Sequence, residues 1–311
     1  MPVTNVAIVG FGKIAHDQHV PSIAGNDAFR LAAIVSQRGV GIEGVPVFRS
    51  LADLAASSVA VDAVAVCTPP QVRHATARAA LAMGKHVLLE KPPAATLSEL
   101  DDLVSFAKSQ GCILFATWHA QYNAAVAEAK RRLAGKRVVR LQVNWKEDVR
   151  RWHPGQQWIW QAGGFGVFDP GINALSIVSR IMPSAVFVRS ADLTFPSNCD
   201  APIAAALRFA TPDTDSGLAA DIDWRQTGPQ TWEIEIDTAD GDRLKLEDGG
   251  ATLIANGKPA VARPMREYEE IYARFAELLA AGESDVDVAP LRLVADAFLL
   301  GRRMVTDPFI E

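Results

Sequence analysis

Near its start the chain turns sharply on glycine. Val6-Ala-Ile-Val9 is a short aliphatic run, and Gly10-Phe-Gly12-Lys13-Ile14-Ala15 follows it at once. A strand that runs directly into two glycines and a small residue at this spacing predicts a βα turn. Gly10 permits the tight turn, Gly12 has no side chain to obstruct an anion, and Ala15 lets the next helix pack closely with its amino-terminal amides facing that anion. The ligand such a turn holds is the pyrophosphate of a dinucleotide; the alternative is the same turn with no ligand. A single strand and helix cannot bury their apolar faces alone, so further parallel strands and crossover helices must follow.

They do follow. Leu31–Val35, Ala63–Val66, His86–Leu89 and Ile113–Ala116 are short, continuous apolar runs, as strands buried on both faces require. Ser50–Ala56 and Gln71–Met83 place apolar residues at helical spacing, and Gly84 is a suitable carboxyl-terminal cap. Composition shifts after residue 117: none of the seven tryptophans precedes Trp118. Beyond it, a helix is predicted over Asn123–Leu133. Strands are predicted over Val138–Asn144, Ile203–Phe209, Leu218–Trp224, Trp232–Asp237, Arg243–Leu246 and Ala251–Ile254, several joined by glycine turns. Two amphipathic helices, Arg266–Ala281 and Pro290–Met304, close the chain. The expected fold class is α/β. Residues 1–121 form an N-terminal Rossmann domain with a doubly wound parallel sheet. Residues 122–311 form a C-terminal α+β domain with a large, mainly antiparallel sheet, its last helix able to pack back on the Rossmann domain.

Composition excludes several functions. With 31 Lys and Arg against 36 Asp and Glu, and no basic block, no nucleic-acid partner is expected. No apolar run approaches the roughly 20 residues a membrane helix needs. Cys67, Cys112 and Cys199 are an odd, scattered set, which fits a reduced, cytoplasmic setting. Met1–Val9 lacks the basic start and long apolar core of a secretory leader, so no leader is expected.

The second strand ends in Ser36-Gln37-Arg38, where a carboxylate would ordinarily bind the adenosine ribose of NAD. A hydroxyl, an amide and a guanidinium suit a 2′-phosphate, so NADP is the expected cofactor, with NAD also accepted. An ordinary solvated loop is the alternative for Arg38. Cys67-Thr68-Pro69-Pro70 and Glu90-Lys91-Pro92 end two further strands, where an open α/β sheet forms its ligand crevice. His16, His19, His74 and His86 have no carboxylate or cysteine cluster to complete a metal site, and none is expected.

The glycine-rich opening, Thr68-Pro69-Pro70 and above all Glu90-Lys91-Pro92 resemble the glucose-fructose oxidoreductase/inositol dehydrogenase (Gfo/Idh/MocA) family, over essentially the whole chain. The resemblance implies that Lys91 is catalytic, beside the nicotinamide and the substrate hydroxyl. It also implies a cofactor set of Gly10, Gly12, Lys13, Ile14, Ser36, Gln37, Arg38, Cys67, Thr68, Pro69, His74, Glu90 and Lys91. A second shared element is Gly163-Gly-Phe-Gly-Val-Phe-Asp169-Pro-Gly-Ile-Asn173, whose Asp169 and Asn173 share one face of a helix beginning near Pro170. Many members carry histidine where Asn173 stands. Lys91 and Asp169 therefore remain as the acid–base pair with Asn173 as a neutral partner, a helix cap being the alternative for Asp169.

Trp145 to Trp160, with Ala116-Thr-Trp118-His119, narrows the resemblance to aldopyranose dehydrogenases of that family and implies sugar contacts from His119, Glu147, Trp152, His153 and Trp232. Core filler is the alternative for any one tryptophan. The implied reaction oxidises the C1 hydroxyl of L-arabinose or D-galactose to the 1,5-lactone, with hydride transfer to the nicotinamide. A polyol or inositol dehydrogenase, or a non-catalytic sugar or dinucleotide sensor, are the competing functions. A homo-oligomer through the C-terminal sheet is left open.

Overall fold

The computed structural model describes residues 3–311; Met1 and Pro2, the start of the Met1–Val9 segment in which no leader is expected, lie outside the described residues. Among the described residues the chain divides into two compact units. The first holds a six-stranded parallel sheet of β1 (Thr4–Val9), β2 (Phe29–Val35), β3 (Val47–Phe48), β4 (Ala63–Val66), β5 (His86–Leu89) and β6 (Leu114–Ala116), in the order β3-β2-β1-β4-β5-β6. The connections are α1 (Val20–Ala24), α2 (Leu51–Ala55), α3 (Pro70–Ala82) and α4 (Leu97–Ser109). Each helix start has a local cause. Ser50 accepts the Asp53 amide at α2, Pro70 opens α3, and Thr96 with Glu99 forms a reciprocal capping box at α4. Strand order reverses between β1 and β4, and the ends of those strands carry Gly10 and Cys67-Thr68.

The second unit opens with α5 (Ala124–Leu133), β7 (Val138–Lys146), α6 (Val149–Trp152) and α7 (Phe168–Ile181). It continues through β8 (Phe187–Pro196), β9 (Ala204–Thr211), β10 (Thr214–Asp223), β11 (Thr231–Thr238), β12 (Arg243–Glu247), β13 (Thr252–Ala255) and β14 (Lys258–Ala262). The chain then leaves for α8 (Glu267–Ala281), which belongs to the first unit, and returns with α9 (Ala289–Leu300) and β15 (Gly301–Thr306). The nine-stranded sheet runs β14-β13-β12-β11-β7-β10-β9-β8-β15, antiparallel except where β10 meets β7 and β15 meets β8. Helix α7 lies tight on this sheet: a Cβ at Gly171 would sit 2.9 Å from two carbons of Ile222 on β10.

Three expectations need correcting. The division falls at 119/120 rather than 121/122, and the helix that joins the first unit is α8, not the last one, which stays with the second. The final helix also ends at Leu300 instead of running to Met304. The chain leaves the helix at Gly301 and pairs with β8, and only glycine fits there: a Cβ would lie 2.4 Å from the Ala297 carbonyl and 2.7 Å from Leu193.

Segment 266–288 finishes the first unit. Phe275 stacks on Phe29 at 5.8 Å and on Phe115 at 6.0 Å, and Tyr272 meets Phe29 edge-on at 5.3 Å. Leu114 N donates to Ser284 Oγ, Asp285 exchanges backbone bonds with Leu114 and Ala116, and Trp118 Nε1 donates to the Asp287 carbonyl. The open side of β6 is thereby covered.

Candidate active site

In the first unit the glycine turn has the shape a dinucleotide needs. Gly10 sits at φ +89°, and a Cβ there would be 2.9 Å from the backbone of Cys67 and Thr68; at Gly12 a Cβ would meet no atom within 4 Å. The first glycine answers to neighbouring backbone, the second to open space in front of the turn. The buried Thr68 hydroxyl, at the crevice end of β4, has no hydrogen-bond partner among the described residues, and so has capacity for a ligand group. These features fit a bound nicotinamide dinucleotide.

Around this turn the expected residues sort into groups. Lys13 and Ile14 are exposed, Lys13 pairing with Asp17. Ser36 is buried while Gln37 and Arg38 face solvent. Sequence reasoning passed over Arg49: it follows β3, donates to the Gln37 carbonyl at 2.5 Å and lies against Gly39, adding a second cation to the loop of Arg38. Pro69 caps α3. His74 is held by Asp102 of α4 at 2.7 Å, and His16 by Asp17 at 2.8 Å.

Glu90 and Lys91 follow β5. Glu90 is 3% exposed, and its oxygens take the Lys91 amide, the Tyr268 hydroxyl and the His19 ring. Arg73 of α3, also buried, donates to the carbonyls of Glu90, Pro92 and Thr68, so the main chain on both sides of Lys91 is tied to one guanidinium. His119 lies 2.8 Å from Glu267 and stacks on Tyr268. Burial disfavours its charge, but the Glu267 carboxylate outweighs burial and raises its pKa.

The second unit gathers the remaining candidates. Glu147 immediately follows β7 and, two residues past Trp145, points to the same face, where Trp232 of β11 pairs directly across from Trp145. Glu147 is buried, and each of its oxygens accepts one indole N–H: Trp224 at 3.1 Å and Trp232 at 2.9 Å. Trp232 meets Trp152 at 5.7 Å, while Trp224 meets His153 at 5.2 Å and Trp160 at 5.3 Å. Trp224 is absent from the expected set, because a tryptophan ending an apolar strand reads as core.

Glu147 is thus the peg of an aromatic wall. Glu147→Gln should set an amide N–H against one of the two indoles, costing about 1–3 kcal/mol for the unmatched buried donors. A lowered denaturation midpoint with shifted tryptophan fluorescence is the expected result; an unchanged midpoint would remove the peg role.

Asp169 lies in the first turn of α7, whose cap position is Val167, so capping is not its task. It is 4% exposed and 3.4 Å from His153 Nε2. Asn173, one turn on, has a buried Oδ1 with no hydrogen-bond partner among the described residues. The second unit therefore presents a carboxylate–imidazole pair and an amide oxygen with spare capacity. The imidazole comes from the loop after α6 rather than from position 173. No helix among the described residues is long and apolar enough to cross a membrane.

The fold has counterparts among known proteins. Residues 4–118 match the GFO_IDH_MocA family, an oxidoreductase family with an NAD-binding Rossmann fold. Galactose 1-dehydrogenase of Pseudomonas fluorescens is 44% identical over 315 residues, covering all of both chains. The crystal structure of D-galactose-1-dehydrogenase from Rhizobium etli superposes with a TM-score of 0.94 at 52% identity, over 100% of this chain and 99% of that one. A 3-ketoreductase from Actinomadura kijaniata, solved with NADP and TDP-benzene, shares the fold at a TM-score of 0.83 and 17% identity, over 98% of this chain and 100% of that one.

Proposed function

The chain belongs to the Gfo/Idh/MocA family of oxidoreductases, and on that premise we propose that it oxidises the C1 hydroxyl of an aldopyranose, D-galactose or L-arabinose, to the 1,5-lactone, with NADP as the preferred acceptor and NAD also used. The observation that carries this reading is the indole wall fixed by Glu147 beside Asp169 and His153. A pyranose offers apolar C–H faces to aromatic rings and a rim of hydroxyls to carboxylate, imidazole and amide groups, and this cluster supplies both kinds of surface.

When bound, the nicotinamide supplies the hydride acceptor. The protein must orient the sugar and take one proton from the anomeric hydroxyl as the hydride leaves C1, which turns the C1–O bond into a carbonyl. Lys91 is the proposed base. Asp169, paired with His153, is the proposed second proton-handling group, and Asn173 accepts a sugar hydroxyl. Galactose and arabinose in their pyranose forms differ by one exocyclic carbon, so discrimination between them is modest, about 10–200-fold at most.

A panel of aldoses and cyclitols with NADP and NAD, read by absorbance of the reduced nicotinamide, tests the proposal. Turnover on galactose and arabinose is the expected result. Turnover confined to cyclitols would replace the substrate class, and none on any member would remove the enzymatic reading.

Arg38 and Arg49 support the cofactor preference. Arg38→Ala should raise the KM for NADP about 10-fold or more, the loss of one charge-assisted hydrogen bond, and leave the KM for NAD within a factor of about 2. Equal effects on both cofactors would place the 2′-phosphate elsewhere.

A further inference from the structure

His19 is fully buried in the turn that leads from the glycine loop into α1. Its two ring nitrogens are both engaged: Nδ1 lies 2.8 Å from Tyr272 Oη and Nε2 lies 3.0 Å from Glu90 Oε1. The same Glu90 oxygen accepts from Tyr268 Oη at 2.7 Å, and the other accepts from the Lys91 amide at 2.9 Å. The two tyrosines are one turn apart on α8 and present their hydroxyls to this carboxylate and this imidazole. A carboxylate taken out of water costs several kcal/mol unless donors replace its hydration, and here His19, Tyr268 and the Lys91 amide do so.

We propose that His19 is a positioning residue for Lys91: with Tyr268 it holds the Glu90 carboxylate in place, and Glu90 fastens the main chain at Lys91. Because His19 also stands four residues past Ala15, it ties the helix that follows the cofactor loop to the residue that takes the proton. The proposal rests on the reading of Lys91 as the base.

The charges are consistent with this link. Burial works against ionisation of Glu90, but His19, His119 and Tyr268 outweigh it and hold the carboxyl well below its ordinary range. Burial likewise opposes the His19 cation, and Cys67, Tyr272 and Glu90 outweigh it, so the ring titrates well above its ordinary value. Tyr272 is pushed up to about 12 by burial, and Tyr268 is raised by burial and by Glu90, so both remain neutral hydroxyls. Lys91, Arg73 and Glu267 are the other charged groups nearby. A depressed carboxylate loses its contribution as pH falls through the depressed value, and a raised imidazole loses its own as pH rises through the raised value. The pair therefore stands intact across the whole neutral range. Without His19, burial of Glu90 is no longer offset, and the carboxyl takes up a proton at a higher pH.

The test compares His19→Leu, His19→Gln and Tyr268→Phe on whichever sugar or cyclitol the wild type oxidises. In His19→Leu, kcat should fall about 10-fold or more while NADPH affinity by fluorescence stays within about threefold, and the acid limb of the kcat profile should move up by about one pH unit or more. His19→Gln, which keeps an N–H toward Glu90, should recover part of kcat. Wild-type kcat and profile in His19→Leu, or kcat and NADPH affinity lost in equal proportion, would overturn the proposal. Should that variant fail to fold, Tyr268→Phe decides: a fall in kcat with the same upward shift of the acid limb supports the link, and an unchanged profile removes it. If nothing in the panel is oxidised, the aldose reading fails by itself, and hydrogen exchange of the Lys91 amide still decides. Exchange about 10-fold faster in the folded variant than in wild type supports the link; equal rates overturn it.

Discussion

Lys91→Met should reduce kcat by about two to four orders of magnitude, the range associated with removing a positioned proton acceptor, while the dissociation constant for NADPH changes by no more than about threefold. Methionine is close to lysine in length and keeps the side chain's apolar stem without its amine, so the main-chain anchors at this position, Glu90 and Arg73, have no reason to move. Stopped-flow absorbance with saturating sugar separates the hydride step from product release. A variant that binds NADPH normally and turns over at the wild-type rate would show that another group takes the proton.

Asp169→Asn should act on kcat by about 10²-fold or more, with a smaller change in KM. The substitution is nearly isosteric but replaces the acceptor opposite His153 with a group that can present an N–H. If only KM rises and kcat stays at the wild-type value, Asp169 is a sugar-binding group with no part in the proton's movement.

The parallel sheet was largely legible because its strands are uninterrupted aliphatic runs: Ala63–Val66 and His86–Leu89 begin and end where the sequence predicts. Strand β3 escaped because two residues carry no periodicity, and β8 because Phe187–Pro196 interrupts its apolar residues with Arg189, Ser190 and Asp192. At α9 the apolar pattern continues past the helix end, but from Gly301 onward those residues pair with β8 across a long sequence separation, which local periodicity does not announce. In the candidate site, residues within one motif could be read together, as Glu90 with Lys91 and Asp169 with Asn173. Pairings across long separations could not. His19 meets Tyr272 253 residues later, Glu147 meets Trp224 77 residues later, and nothing local to either residue announces its partner. The tyrosines at 268 and 272, four apart on one helix, were the nearest thing to a signal.

The return of α8 to the first unit has a consequence for how the protein is made. Phe29, Phe115 and His19 leave the ribosome early, but the aromatic residues that pack on them, Tyr272 and Phe275, are translated roughly 150 residues after the first unit's main stretch ends at His119. At about 5–20 residues per second, the nascent amino-terminal half waits on the order of ten to thirty seconds with that surface uncovered, an interval in which cellular holdases would find it. An amino-terminal fragment released without residues 266–288 should therefore aggregate, and should become soluble when a peptide of that segment is supplied in trans.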